Sequence, residues 1–298
     1  MQTLVPAEYR KSGKITNEVR SVVKAGVRPG MAYLEACELV EKEIHSRGGE
    51  LAFPVGIGVN EVTAHYAPQE DDLRVFGEGD LVKVDFGVHI DGYVTDTAVT
   101  MTFNPEYDML LAATEQALRA AIAMVGKETR TGEIGREIQR EAASFGFKTI
   151  ENLTGHTVDR FIVHAGKSIP NLYLPGMPSL KKGEVFAIEP FVTLGSASGF
   201  VVDSSDKTIF SLVARKKTGE SSLDTFVEKV WNERKTLPFT PRWYTESFGR
   251  GKVRGVVDRL VAKRVVRAYP TLVEASRSPV AQFEQTMALD DGGLVILT

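Results

Sequence analysis

Gly79 to Thr100 reads GDLVKVDFGVHIDGYVTDTAVT. Two alternating, β-branched runs flank Asp91-Gly92, a dipeptide suited to a two-residue turn, so residues 81–103 read as a β-hairpin. Asp85 and Asp96 lie inside these strand patterns, where aspartate is normally depleted. With Asp91-Gly92 as the turn, Asp85 sits opposite Ala98. Asp96 lies two residues from Ala98 and points to the same face as Asp85, roughly 7–8 Å away by Cα. On a buried face two such carboxylates repel and resist desolvation, and a bound cation removes both problems. The other reading is an exposed hairpin whose acidic face meets water.

Outward from the hairpin, the pattern mixes helices and short strands. Leu34, Cys37, Val40 and Ile44 recur at helical spacing after Pro29-Gly30, and Gly48-Gly49 ends the run. Residues 51–60 are apolar and Gly-rich and read as a strand with tight turns. Helices are expected over 107–125, with Leu111, Thr114, Leu118, Ile122 and Val125 on one face, and over 131–144, with Ile134, Ile138 and Ala142. Short strands are expected around 158–164, 185–194 and 207–213, with a loop from Gly195 to Gly199. Residues 219–268 change character: helical patterns at 219–235 and 252–268 flank the Pro- and aromatic-rich segment Leu237 to Tyr244. This is a helical insertion in an otherwise α+β chain. At the end, 279–287 and 293–298 flank Asp290-Asp291-Gly292-Gly293, a second hairpin signal.

Further titratable residues sit where solvation is poor. Glu189 lies in Val185-Phe186-Ala187-Ile188-Glu189-Pro190-Phe191, a nearly all-apolar run that reads as a strand buried on both faces. It needs a cation, a proton or a salt bridge. Glu284 follows Gln282 at period two in Val280 to Thr286, so both share a face; alone it could be an edge charge. His45 ends a helical pattern and suits the dipole there, and His89 precedes the hairpin turn, a surface position. His65 follows Asn60 to Ala64 in a loop, His156 follows Gly155, and His164 follows strand-like Arg160 to Val163. Two Asp, two Glu and one His form a hard, oxygen-rich ligand set. Four carboxylates are too many for one catalytic zinc held by three protein ligands; they suit two divalent ions bridged by carboxylates.

Composition narrows the classes. The 298 residues are 43% apolar and 25% charged with a net charge of −3, ordinary for a globular protein and no general drive toward nucleic acid or anionic lipid. The single cysteine, Cys37, rules out an intramolecular disulfide, fits a reducing cytosol and reads as a core residue. Met1 to Lys14 has no apolar leader, and no run of about 18 apolar residues suggests a membrane span.

These stretches resemble the type II methionine aminopeptidases, most closely the compact archaeal form. The likeness rests on Asn60 to Pro68 (NEVTAHYAP), the hairpin from Gly79 to Thr100, Gly155-His156, His164 to Pro170 (HAGKSIP), Gly183 to Phe191 (GEVFAIEPF) and Ala281 to Thr286 (AQFEQT). It covers nearly the whole chain. The ordered set Asp, Asp, His, Glu, Glu is specific where each short motif is not. The resemblance implies a pita-bread fold: two pseudo-symmetric α+β halves around a dinuclear metal site, one domain over 1–298 with a helical insertion at 205–270. It implies that Asp85 chelates one ion, Asp96 and Glu284 bridge both, and His156 and Glu189 complete the second. Glu189 would also move the proton of the attacking water. His65 and His164 would contact the substrate without binding metal. Phe53, Phe191 and Tyr269 would line the methionine pocket. The insertion lies between the last two glutamates, as in type II enzymes, and the charged N-terminal extension of the eukaryotic form is absent.

The activity so implied is removal of the initiator methionine from nascent polypeptides whose second residue is small, by a cytoplasmic monomer using Co, Mn, Fe or Zn. Its partners would be N-terminal Met peptides, nascent chains and the ribosome, without membrane or sequence-specific nucleic acid. Two other readings share the fold. An Xaa-Pro peptidase, prolidase or creatinase relative usually carries a further domain before the metal half, and few residues precede Asp85. A non-enzymatic, ribosome- or protein-binding relative loses metal ligands, and all five positions are filled here. A plain α+β domain would leave several buried carboxylates without a counter-ion, which is costly.

Overall fold

The computed structural model describes residues 4–126 and 128–298; Met1 to Thr3, at the start of the polar N-terminal segment, lie outside the described residues. The first half opens with helices α1 (Ala7–Gly26) and α2 (Tyr33–Ser46). Strands β1 (Glu50–Leu51), β2 (Gly56–Val59), β3 (Val62–Ala64), β4 (Leu81–Ile90) and β5 (Tyr93–Thr102) follow. The second half repeats this order with α3 (Asp108–Met124), α4 (Thr131–Ser144), β6 (Phe147–Thr149), β7 (Thr154–Val158), β8 (Ser168–Pro170), β9 (Val185–Ile188) and β10 (Phe191–Leu194). Strands β11 (Val201–Leu212) and β12 (Val266–Glu274) enclose helices α5 (Ser221–Arg234), α6 (Thr245–Phe248) and α7 (Val253–Ala262). The last strands are β13 (Val280–Gln282), β14 (Glu284–Asp290) and β15 (Gly293–Ile296).

The main sheet runs β1-β4-β5-β14-β9-β7-β8, with β2 on β4 and β15 on β14. Two three-stranded sheets, β13-β10-β6 and β11-β12-β3, complete the framework. Every ladder between these strands is antiparallel, which gives the expected α+β class. Strand β4 is covered on both faces. Val84, Phe86 and Val88 join one large core with Val19 and Val23 of α1, Val40 and Ile44 of α2, Ala117 of α3 and Ile138 of α4. The alternate residues Lys83, Asp85 and Gly87 face the other way, because successive side chains on a strand point to opposite faces. Helix α1 lies close on the C-terminal strands: a Cβ on Gly13 would come 2.3 Å from the Leu297 carbonyl oxygen.

Helices α5 to α7 bury a core of their own, with Leu223, Phe226, Val230, Phe239, Tyr244, Val257 and Leu260. Phe226 is fully buried, so truncation to alanine would cost about 3–5 kcal/mol. This core is tied to the first half by a nearly buried pair: Arg242 donates to Glu41 from Nη1 (3.1 Å) and Nη2 (2.6 Å), and Trp243 Nε1 adds a bond of 2.9 Å. Among the described residues no helix is long and apolar enough to cross a membrane.

Five sequence expectations change. The run 185–194 breaks into β9 and β10 at Glu189-Pro190, where proline has no N–H for the ladder, and the chain passes to another sheet. The run 279–287 breaks likewise at Phe283. The second insertion helix stops at Ala262, not 268; Arg264 takes a left-handed φ of 57° and the β-branched pair Val265-Val266 leads into β12. Residues 158–164 are mostly a turn, with the strand lying earlier at 154–158: Asp159 and Ile162 exchange backbone bonds of 2.9 and 3.0 Å around Phe161, whose φ is 58°. That turn covers the hairpin end, Phe161 N donating to the Gly92 carbonyl at 2.7 Å. His89 is consequently 6% exposed rather than a surface residue.

Candidate metal centre and substrate cavity

Strand register puts all five proposed ligands on one face of the main sheet. Asp85 pairs with Ala98, and Ala98 pairs with Glu284 on its other side. Asp96 is two residues from Ala98. Two residues beyond Glu284, Thr286 pairs with Ala187, which pairs in turn with His156. Glu189 is two residues beyond Ala187. Paired residues, and residues two apart on a strand, share a face. Threonine hydroxyls hold this arrangement: Thr286 Oγ1 accepts from Asp96 N at 2.8 Å and donates to the Asp96 carbonyl at 2.7 Å, and Thr97 Oγ1 donates to the Glu284 carbonyl at 2.9 Å.

The face floors a cavity of about 240 Å³. Asp85, Asp96, His156, Glu189 and Glu284 line it, as do His65, His164, Phe53, Phe191 and Tyr269, the ten residues named from sequence as ligands or substrate contacts. Phe53 packs over Gly87, where a Cβ would lie 2.4 Å from its Cε1. His65 leaves β3 in the left-handed region at φ 64°, a conformation that costs a non-glycine residue energy and recurs at functional sites. Its ring meets Tyr269 edge-on at 5.8 Å between centroids, and Tyr269 is anchored to Ser211 at 3.1 Å. His164 stands in an exposed bend rather than a strand, its ring edge-on to His156 at 4.2 Å. Sequence reading missed Ile209 and Pro238, which bring the insertion and its flanking strand into the cavity wall. It also missed Lys83. A lysine at period two from Asp85 in an apolar strand was the available signal.

Burial governs the electrostatics. It pushes Asp85 up to about 7 and holds Asp96, Glu189 and Glu284 well above the usual carboxylate range, with mutual repulsion adding to the last three. Burial, and secondarily His164, lowers His65 to about 4 and His156 to about 3, so both rings are neutral near pH 7. Lys83, wholly buried, is pushed down to about 7.

These residues fit a metal. His156 Nε2 is 3.6 Å from both Asp96 Oδ2 and Glu189 Oε1, beyond hydrogen-bonding range. Two donors about 2.1 Å from one ion at a tetrahedral angle would be about 3.4 Å apart. Donor atoms of Asp96, His156 and Glu284 lie within 4.8 Å of one another. Asp85 Oδ1, Asp96 Oδ1 and Glu284 Oε1 are buried with no hydrogen-bond partner. Unpaired buried carboxylates are unfavourable unless a proton or a cation joins them.

Residues 7–213 match the profile of metallopeptidase family M24. The methionine aminopeptidase of Pyrococcus horikoshii is 37% identical over 289 residues, covering 97% of each chain. The crystal structure of the methionine aminopeptidase of Thermotoga maritima superposes with a TM-score of 0.70 at 25% identity, covering 99% of this chain and 97% of that one. A thermophilic Arx1 superposes with a TM-score of 0.84 at 17% identity, covering 98% and 89%, a likeness of fold alone. The shared architecture is the pita-bread fold, two α+β halves closing on one carboxylate-lined face. With its carboxylate–histidine floor and its sequence alike in kind to these relatives, the chain belongs to metallopeptidase family M24.

Proposed function

We propose that this chain removes the initiator methionine from nascent polypeptides whose second residue is small, as a type II methionine aminopeptidase with two divalent ions. The observation that carries the reading is four carboxylates, those of Asp96 and Glu284 buried and those of Asp85 and Glu189 nearly so, and one neutral imidazole on one face, flooring a cavity walled by Phe53, Phe191 and Tyr269. The helices between Glu189 and Glu284 support the type II assignment. One catalytic domain spans 1–298 in this reading, with 205–270 as its insertion.

Asp85 would hold one ion, Asp96 and Glu284 both, and His156 and Glu189 the second. Such ions, when bound, polarise a scissile carbonyl and lower the pKa of water. The chain's own groups do the rest. Glu189, held by Gln282 Nε2 at 3.2 Å, is placed to take a proton from the attacking water and return it to the leaving amine. His65 and His164, in contact with the cavity, position the substrate and donate hydrogen bonds to the oxyanion that develops. The aromatic walls enclose the methionine side chain and exclude water. Nascent chains supply such N-termini, so the proposed setting is the cytoplasm at the ribosome, with the protein acting as a monomer.

The test is hydrolysis of dipeptides and tripeptides by protein loaded in turn with Co, Mn, Fe or Zn. Met-Gly, Met-Ala and Met-Ser substrates should be cleaved and Met-Lys or Met-Phe scarcely. Equal rates on all, or preference for Xaa-Pro over Met-Ala, would overturn the reading.

A further inference from the structure

Under the metal-binding face lies a second cavity of about 10 Å³, whose walls include Gly58, His65, Lys83, Asp85 and Gln282. Lys83 is 1% exposed, and its Nζ donates to two backbone carbonyls, Val280 at 2.7 Å and Asn60 at 3.1 Å. The amine thereby spans from the loop before His65 to the strand bearing Gln282, with one tetrahedral position left. Gly58 makes room for it: a Cβ there would lie 2.7 Å from Lys83 Cε and 2.6 Å from the Val62 carbonyl oxygen.

Gln282 is also 1% exposed. Its Nε2 donates to Glu189 Oε2 at 3.2 Å, and it lines the same small cavity as Asp85. Its Oε1 is buried without a donor. An amide oxygen is an acceptor only and needs an N–H or O–H when removed from solvent. A cavity of roughly 10–15 Å³ holds one water when two to four polar groups surround it. Lys83 Nζ, Gln282 Oε1 and Asp85 Oδ1, itself unpartnered, supply them.

We propose that one ordered water joins Lys83 to Gln282 Oε1, and that Lys83 is thereby a positioning residue for the metal face. An amide can be turned end for end at little steric cost, and only its hydrogen bonds choose the orientation. With the oxygen held from the Lys83 side, the NH2 end faces Glu189 and Asp85. Reversed, it would set an acceptor against two carboxylates. Lys83 acts on Asp85 and Glu189 through Gln282 and touches neither ion nor substrate. This role rests on the reading of those two carboxylates as ligands.

Two measurements test it. A crystal structure of the unmodified protein, sharp enough to show bound water, should place one water within hydrogen-bonding distance of both Lys83 Nζ and Gln282 Oε1. A dry cavity, or a reversed amide, overturns the bridge, and this holds even if Lys83→Met fails to fold. Calorimetric titration with cobalt(II), together with its visible absorption bands, should then compare Lys83→Met, Gln282→Met and the double variant. Each single change should weaken binding by about tenfold or more and shift the bands. The double variant should be no weaker than the worse single one, since the residues act in series. Additive losses, or single variants matching the unmodified protein, overturn the coupling. Failure of the unmodified protein to bind cobalt would instead sink the metal reading, leaving the water to be judged by diffraction.

Discussion

Nε2 of His156 stands 3.6 Å from Oδ2 of Asp96, although the two residues come from different halves of the chain. The imidazole is neutral, the carboxyl is buried and raised in pKa, and the gap is too long for a hydrogen bond. The spacing is compatible with two donors on one ion, and the closure of the two halves sets it.

Asp96→Ala or Glu284→Ala should therefore weaken metal binding by more than about a hundredfold, with loss of nearly all activity, while cooperative unfolding persists. Metal occupancy of dialysed protein and circular dichroism check this. Full activity in either variant would refute the bridging role. The carboxylates are raised in pKa, so ion binding must expel protons and affinity must rise with pH. Calorimetry in buffers of different ionisation enthalpy measures the release directly.

His65→Ala should behave otherwise. It removes a group that lines the cavity without being a proposed ligand. Metal content should stay at the unmodified level while kcat on Met-Ala falls by roughly a hundredfold or more. A parallel loss of metal would make His65 part of the ligand set.

The chemistry of the same ring offers a separate check. His65 is neutral near pH 7, and a neutral imidazole beside an electrophile is a competent nucleophile. On the proposed type II assignment, fumagillin-type spiro-epoxides should alkylate this position. One covalent adduct is expected on the peptide Asn60 to Pro68, with loss of activity and protection by product, read by peptide mass mapping. An adduct on the exposed His164 would place the wrong histidine at the mouth. No adduct would count against type II and leave the metal face untouched.

His89, which does not line the cavity, should contribute an acid-sensitive element. Burial first, and the Arg234 cation second, lower it from 6.5 to about 4, and its Nδ1 accepts from Gly92 N at 3.2 Å. A group depressed in the folded state stabilises above its unfolded pKa and loses that contribution as pH falls through the folded one. The loss should run from about pH 6.5 to below pH 4 and reach on the order of 3 kcal/mol. His89→Asn should flatten that part of the curve in chemical denaturation at stepped pH. Parallel curves for the two proteins would disprove it.

The hairpin from residue 81 to 103 was legible because everything that determines it is local. Asp91-Gly92 sets the turn, alternation sets the faces, and the pairing of Asp85 with Ala98 follows by counting. Helix 131–144 was legible for the same reason, its apolar stripe recurring within a few turns. Eight of the candidate site residues, His65, Asp85, Asp96, His156, His164, Glu189, Phe191 and Glu284, lie in short motifs in order along the chain, whereas Phe53 and Tyr269 were named only through the resemblance. The tertiary structure alone decided that Ala98 pairs with Glu284 and Ala187 with His156, since such register joins strands far apart in sequence and nothing local encodes it. It also decided where apolar runs break. Glu189-Pro190 and Phe283 are points where one strand feeds two sheets, and periodicity cannot distinguish a buried strand from two shorter ones. His89 and Lys83 were misjudged or passed over because their burial depends on segments that fold over them, the turn at Phe161 and the strand at Val280. Burial by distant chain is a property of packing, and the physical consequences for charge, proton affinity and metal follow from that packing rather than from residue type.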